Sequence, residues 1–110
     1  MVLPDSSESV VPESNRESLV LPEQARGKNL VELTGHAQDR MELREVSQQD
    51  VLDTLRHASI SIPTQEGRIR LRWQKTPRTS IDVVFDELRD RVRVITVIKS
   101  VRNPLRRSRR

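Results

Sequence analysis

"RVRVITVIKS" (Arg91–Ser100) is the most strand-like run in the chain. Val92, Val94, Thr96 and Ile98 fall on one side of it, and Arg91, Arg93, Ile95, Val97 and Lys99 on the other. Period-two alternation of β-branched residues is the pattern of a strand. Upstream, "SIDVVFDEL" (Ser80–Leu88) puts Ile81, Val83 and Phe85 in phase, and "DELRD" has the length of a hairpin loop. "GRIRLRW" (Gly67–Trp73) alternates cleanly, with Ile69, Leu71 and Trp73 opposed to Arg68, Arg70 and Arg72. "ASISIP" adds a weaker run through Ile60 and Ile62.

Before these strands the period is helical. Thr34 can cap a first helix with its hydroxyl, and Ala37 and Met41 share one face of it. Ser47 opens a second helix. "SQQD" is close to a capping box, with Asp50 where Glu or Gln is usual. Val51, Leu52 and Leu55 form its apolar stripe, which ends near His57. Helices followed by a run of strands predict an α+β domain: two N-terminal helices packed on a three- to four-stranded antiparallel sheet. The sheet's other face is expected to be partly wet and basic.

The chain has 110 residues, room for one small domain. Hydrophobic residues make up 34% and aromatics 2%, so Val, Ile and Leu must build the core, and it would be thin if every residue folded. Residues 1–32 carry net charge −3 and residues 33–110 carry +7. The first segment is rich in Ser, Pro and Glu and shows no sustained period. Residues 1–29 therefore read as a disordered leader or linker, 30–103 as the folded domain and 104–110 as a basic tail. "VLP" occurs at Val2–Pro4 and again at Val20–Pro22, a weak repeat. The absence of cysteine excludes disulfides and cysteine-based zinc sites. No apolar run approaches the ~20 residues of a membrane span, and the N-terminus lacks the pattern of a signal peptide. No cofactor or metal is expected.

The candidate chemistry centres on His36, in the first turn of the first helix, with Arg40 one turn on and Arg44 one turn further. A neutral imidazole can serve as a general base, and a guanidinium fork suits a phosphate. Arg70, Arg72 and Lys99 from the sheet could add donors, and Thr96 a hydroxyl. A histidine among cations, without a metal, suits cleavage of RNA through its own 2′-hydroxyl. The plainer alternatives are a capping histidine, a solvated arginine face on the strand at 68–72 and a threonine chosen as a strand former. His57 sits where a helix C-terminus favours a cation.

"GHAQDRMELREVSQQDVLDTL" resembles the helix pair of a widespread bacterial family, a domain of unknown function. Its signature is His-Ala, an Arg four residues after the His, a second Arg followed by Gly-Ile/Val-Ser, then an apolar helix. Those places are held here by His36, Ala37, Arg40, Arg44, Val46, Ser47, Val51 and Leu55. The family's closing strand is similar to "VITVIK" (94–99), with Thr96 in the Thr place. Glu45 stands where the family has Gly, and Ile98 where it often has Tyr.

The family is similar to the barnase/EndoU/colicin/RelE-like RNases, which occur as tips of polymorphic or contact-dependent inhibition toxins and in toxin–antitoxin pairs. The resemblance implies a metal-independent endoribonuclease with His36 and Arg40 catalytic and Thr96 a third candidate. Arg70, Arg72, Lys99 and Arg44 would bind substrate. RNA, with tRNA a candidate, is the implied substrate, and an acidic immunity protein or antitoxin the implied partner. The expected site of action is cytoplasmic, with delivery as the tip of a secreted protein an option. The rival expectation is a non-catalytic RNA- or protein-binding module of the same fold.

Overall fold

A computed structural model describes residues 15–102. The expected basic tail at 104–110 and the first "VLP" copy lie outside the described residues. In chain order the elements are β1 (Leu19–Leu21), β2 (Val31–Leu33), α1 (Gly35–Arg44), α2 (Gln48–His57), β3 (Ile60–Pro63), β4 (Ile69–Gln74), β5 (Thr79–Glu87) and β6 (Val92–Val101).

Both helices start where their caps place them. Thr34 Oγ1 accepts the Ala37 amide at 3.1 Å. Ser47 and Asp50 form a reciprocal capping box, each side chain accepting the other's backbone amide at 3.0 and 3.1 Å. α1 ends in a Schellman motif: the Val46 amide reaches Met41 O at 2.8 Å and the Glu45 amide reaches Glu42 O at 3.3 Å. This motif needs a left-handed residue, and Glu45 supplies it at φ 58°, ψ 48°. That is the physical reason for glycine at this place in the family pattern.

The sheet has six strands in the order β1-β2-β6-β5-β4-β3. It is mixed: β2 runs parallel to β6 and the other neighbours are antiparallel. This corrects the expectation of a three- to four-stranded antiparallel sheet. Of the two additional strands, β1 comes from the segment read as an unstructured leader, and β2 stands at the start of the expected domain. Each is three residues long, too short to display a period. Val31 and Leu33 are nonetheless fully buried, covering the β6 edge of the core. The parallel pairing follows from connectivity. The chain leaves β2 into two helices and three strands before returning as β6, the long crossover that a parallel pair requires.

Both helices pack on one face, α1 over β6 and α2 over β5 and β4. The core between them holds Ala37, Met41, Val51, Leu55, Leu71, Ile81, Val83 and Phe85. The phases read for β4 and β5 are those observed. In β6 the phase breaks. Val84 pairs with Thr96 but Phe85 pairs with Val94, so Ile95 is an extra residue, a β-bulge. Beyond it every side chain changes face relative to a strict alternation. Val97 therefore joins Val92 and Val94 in the core, each with no exposed surface. Thr96 and Ile98 move to the open face.

Candidate functional site

The bulge sets the position of His36. The Thr34 hydroxyl donates to Val94 O at 3.0 Å and lies 3.3 Å from Ile95 O, while the Thr34 amide donates to Val94 O at 3.2 Å. The capping residue of α1 is thus pinned to the irregular part of β6, and His36 follows two residues later. Gln38, on the opposite flank of α1, donates to Leu33 O at 3.1 Å and Glu17 O at 2.7 Å. With Ala37 and Met41 buried beneath, the helix cannot roll.

On the other flank, Arg40 Nε stands 3.5 Å from His36 Nε2. A guanidinium only donates, so the ring nitrogen facing it carries the lone pair. Both side chains are half-buried. One turn further, Arg44 Nη1 donates to Val97 O at 3.3 Å. At the far end Lys99 Nζ lies 3.5 Å from Glu45 O. Lys99 is on the helix face because of the bulge, opposite Ile81. His36, Arg40, Arg44 and Lys99 therefore form a row along α1 rather than one pocket. Arg44 is eight residues beyond His36, about 12 Å along a helix axis. Arg40, Arg44 and Lys99 have no carboxylate partner among the described residues.

The remaining candidates lie on the other side of the sheet. Thr96, Arg70 and Arg72 face away from the helices, so the expectation of one site uniting them with His36 does not hold. Arg70 and Arg72 are engaged there by Asp82, whose side chain is 4% exposed. Arg70 Nη2 approaches Asp82 Oδ2 to 2.6 Å, and Arg72 donates to both carboxylate oxygens at 2.9 and 3.0 Å. Burial raises the Asp82 pKa, but the hydrogen bonds and charges of Arg72 and Arg70 outweigh it and hold the carboxyl below its ordinary value.

The same rule governs the rest of this face. Arg68 pairs with Asp86 at 3.4 Å, and Arg91 and Arg93 pair with Glu32 at 3.2 and 3.4 Å. On the face expected to be wet and basic each of these five arginines is paired, but in these pairs with only three carboxylates, so the face keeps a positive excess. The signal that reveals this was present in β5: Asp82 and Asp86 are out of phase with Ile81, Val83 and Phe85. An antiparallel neighbour places them against the arginines of β4.

Among the described residues no group of His, Cys, Asp and Glu could hold a metal ion, and no helix is long and apolar enough to cross a membrane. No curated protein and no solved structure matches the chain. The row along α1 spans the positions of the His-Ala-x-x-Arg helix and the Lys99 end of the closing strand. β1 and most of β2 lie N-terminal to the part of the chain that carries the family pattern. That part is residues 33–99, matched by the family model of a domain of unknown function, DUF4258, and the chain belongs to this family.

Proposed function

We propose that the chain is a metal-independent endoribonuclease of the toxin type whose reaction centre is His36 with Arg40. The observation that carries this reading is the His36–Arg40 contact of 3.5 Å at the head of a row of cations. The other cations of that row have no carboxylate partner among the described residues. The similarity expected from the sequence between the family and the RNase toxin group is the second ground for it.

The chemistry assigned to the pair is brief. The His36 lone pair, released as the Arg40 guanidinium turns to the phosphate, takes the proton of a ribose 2′-hydroxyl. The 2′-oxygen bonds to phosphorus as the bond to the 5′-oxygen breaks, and the leaving oxygen takes a proton from water, whose hydroxide recovers the proton held by His36. Arg40 donates to the phosphate oxygens as charge gathers on them. Arg44 and Lys99 are too far along the axis to hold the same phosphate and instead meet its neighbours. Arg70, Arg72 and Thr96 take no part in this centre, since they lie across the sheet. An immunity protein or antitoxin with an acidic surface that covers this row is the partner such an activity needs.

The test is incubation of the full chain with total bacterial RNA in EDTA, beside His36→Ala and Arg40→Ala. Discrete fragments ending in 2′,3′-cyclic phosphate, made by the wild type alone, are expected. RNA that stays intact while bound, with affinity falling steeply in salt, would replace the enzyme by a binding module. RNA neither cut nor bound would end the RNA reading altogether.

A further inference from the structure

A second cationic feature lies at the end of the sheet and plays no part in the reaction centre. Arg72, Gln74, Arg78, Ser80, Ser100 and Arg102 line an open groove of about 220 Å³ with Val101. Gln74, Ser80 and Ser100 are register partners across β4, β5 and β6, so they form a polar row on the face away from the helices. The rim is fixed by backbone: the Arg102 amide donates to Arg78 O at 2.7 Å, and the 75–79 turn closes through Lys75 N to Thr79 O at 2.9 Å.

The electrostatics of this groove differ from those of the ion-pair face beside it. Among the described residues no carboxylate lines it. Arg78 and Arg102 are exposed and form no ion pair among the described residues. The nearest acid on the face, Asp82, is already matched by two guanidinia. Two hydroxyls and two unmatched guanidinia around one groove make a set of donors without an acceptor of charge, which suits an anion with several oxygens.

We propose that this groove binds a phosphate of the RNA backbone, as a second subsite for the strand that reaches His36. The proposal rests on the RNA reading above. The continuity is physical. Lys99 ends the α1 row on the helix face, and Ser100, the next residue of β6, opens the groove on the other face. A strand leaving the row at Lys99 passes around the sheet end and meets Ser100, Arg102 and Arg78. The chemistry required of the ligand is a phosphodiester, not a base, because no aromatic side chain lines the groove among the described residues.

The experiment uses the full chain with His36→Ala, so that RNA stays intact, and a labelled 12-nucleotide RNA of mixed sequence. Affinity is measured across salt concentration for this parent, for Arg78→Ser with Arg102→Ser, and for Arg78→Lys with Arg102→Lys. Both arginine side chains are solvent-exposed, and circular dichroism checks that the fold is kept. The serine pair is expected to weaken binding about tenfold at low salt and to lower the salt slope by about 1.4, as loss of two single-strand phosphate contacts requires. The lysine pair is expected to restore the slope. An unchanged affinity and slope in the serine pair, while Arg40→Ala weakens binding, would overturn the groove and leave the row intact. If the parent binds no RNA, the RNA reading fails. The phosphate site then stands only if tripolyphosphate shifts the amide signals of Ser100 and Arg102 in the parent and not in the serine pair, and falls otherwise.

Discussion

Asp82→Asn is the sharpest test of how the open face is built. The carboxylate is 4% exposed and is met by Arg70 Nε at 2.7 Å and by Arg72 at 2.9 and 3.0 Å. The amide keeps the shape but removes the charge under two guanidinia. Charge-assisted hydrogen bonds contribute about 1.5–3 kcal/mol each when shielded. Here the arginines are partly in water, 31% and 38% exposed, so the bonds are screened and the gain is offset by burial of the carboxylate. A loss of about 1–3 kcal/mol is expected for the Asp82 change. A domain of this size unfolds with about 5–10 kcal/mol, and each kcal/mol shifts Tm by about 4–8 °C.

The pH dependence gives the sign. Burial raises the Asp82 pKa, yet the two arginines outweigh it and leave the native carboxyl below its ordinary value. A depressed native pKa means that the stabilisation is complete above the unfolded value and is lost as pH falls through the native one. Wild type and Asp82→Asn should therefore differ fully at pH 7 and converge at pH values below 3.8. Glu32 and Asp50 also titrate low, but both proteins share them, so they cancel in the difference. Urea unfolding at a series of pH values measures this. Equal stability at pH 7, or curves that stay parallel into strong acid, would refute the reasoning. Cleavage should survive Asp82→Asn, because the arginines it holds lie across the sheet from His36.

Glu45→Gly should raise stability by about 0.5–1 kcal/mol, because relief of the left-handed strain exceeds the extra backbone entropy of glycine; a lower Tm would show that the α1 terminus is not strained as described. Val97→Lys and Ile98→Lys separate the two phases of β6. The first buries a charge in the core and should abolish cooperative unfolding. The second places a cation opposite Asp82 on the open face and should change stability by less than about 0.5 kcal/mol. The reverse order would mean that β6 has no bulge.

The readable parts of this fold were those with local causes. Thr34, Ser47 and Asp50 bond within their own first turns, and Ile69 to Trp73 and Ile81 to Phe85 each alternate, so caps and strand phases follow from neighbours in sequence. β1 and β2 were not readable, since a three-residue strand has no period; β2 is buried against β6, some sixty residues away, and β1 pairs with β2. The candidate site divides in the same manner. His36, Arg40 and Arg44 recur at helical spacing and do share a flank of α1.

Lys99, Thr96 and the strand arginines needed the faces of β6, and a single inserted residue decides those faces. Nothing in "VRVITVIKS" marks Ile95 as the extra residue, because Ile95, Val97 and Ile98 are all acceptable on either side of a strand. Its cause lies in the partner elements. Thr34 draws the Val94 and Ile95 carbonyls toward the α1 cap, and Val97 then completes the core opposite Val83. The irregularity that hides the site from a periodic reading is thus also what anchors His36 at the mouth of its helix and turns Lys99 toward the same side.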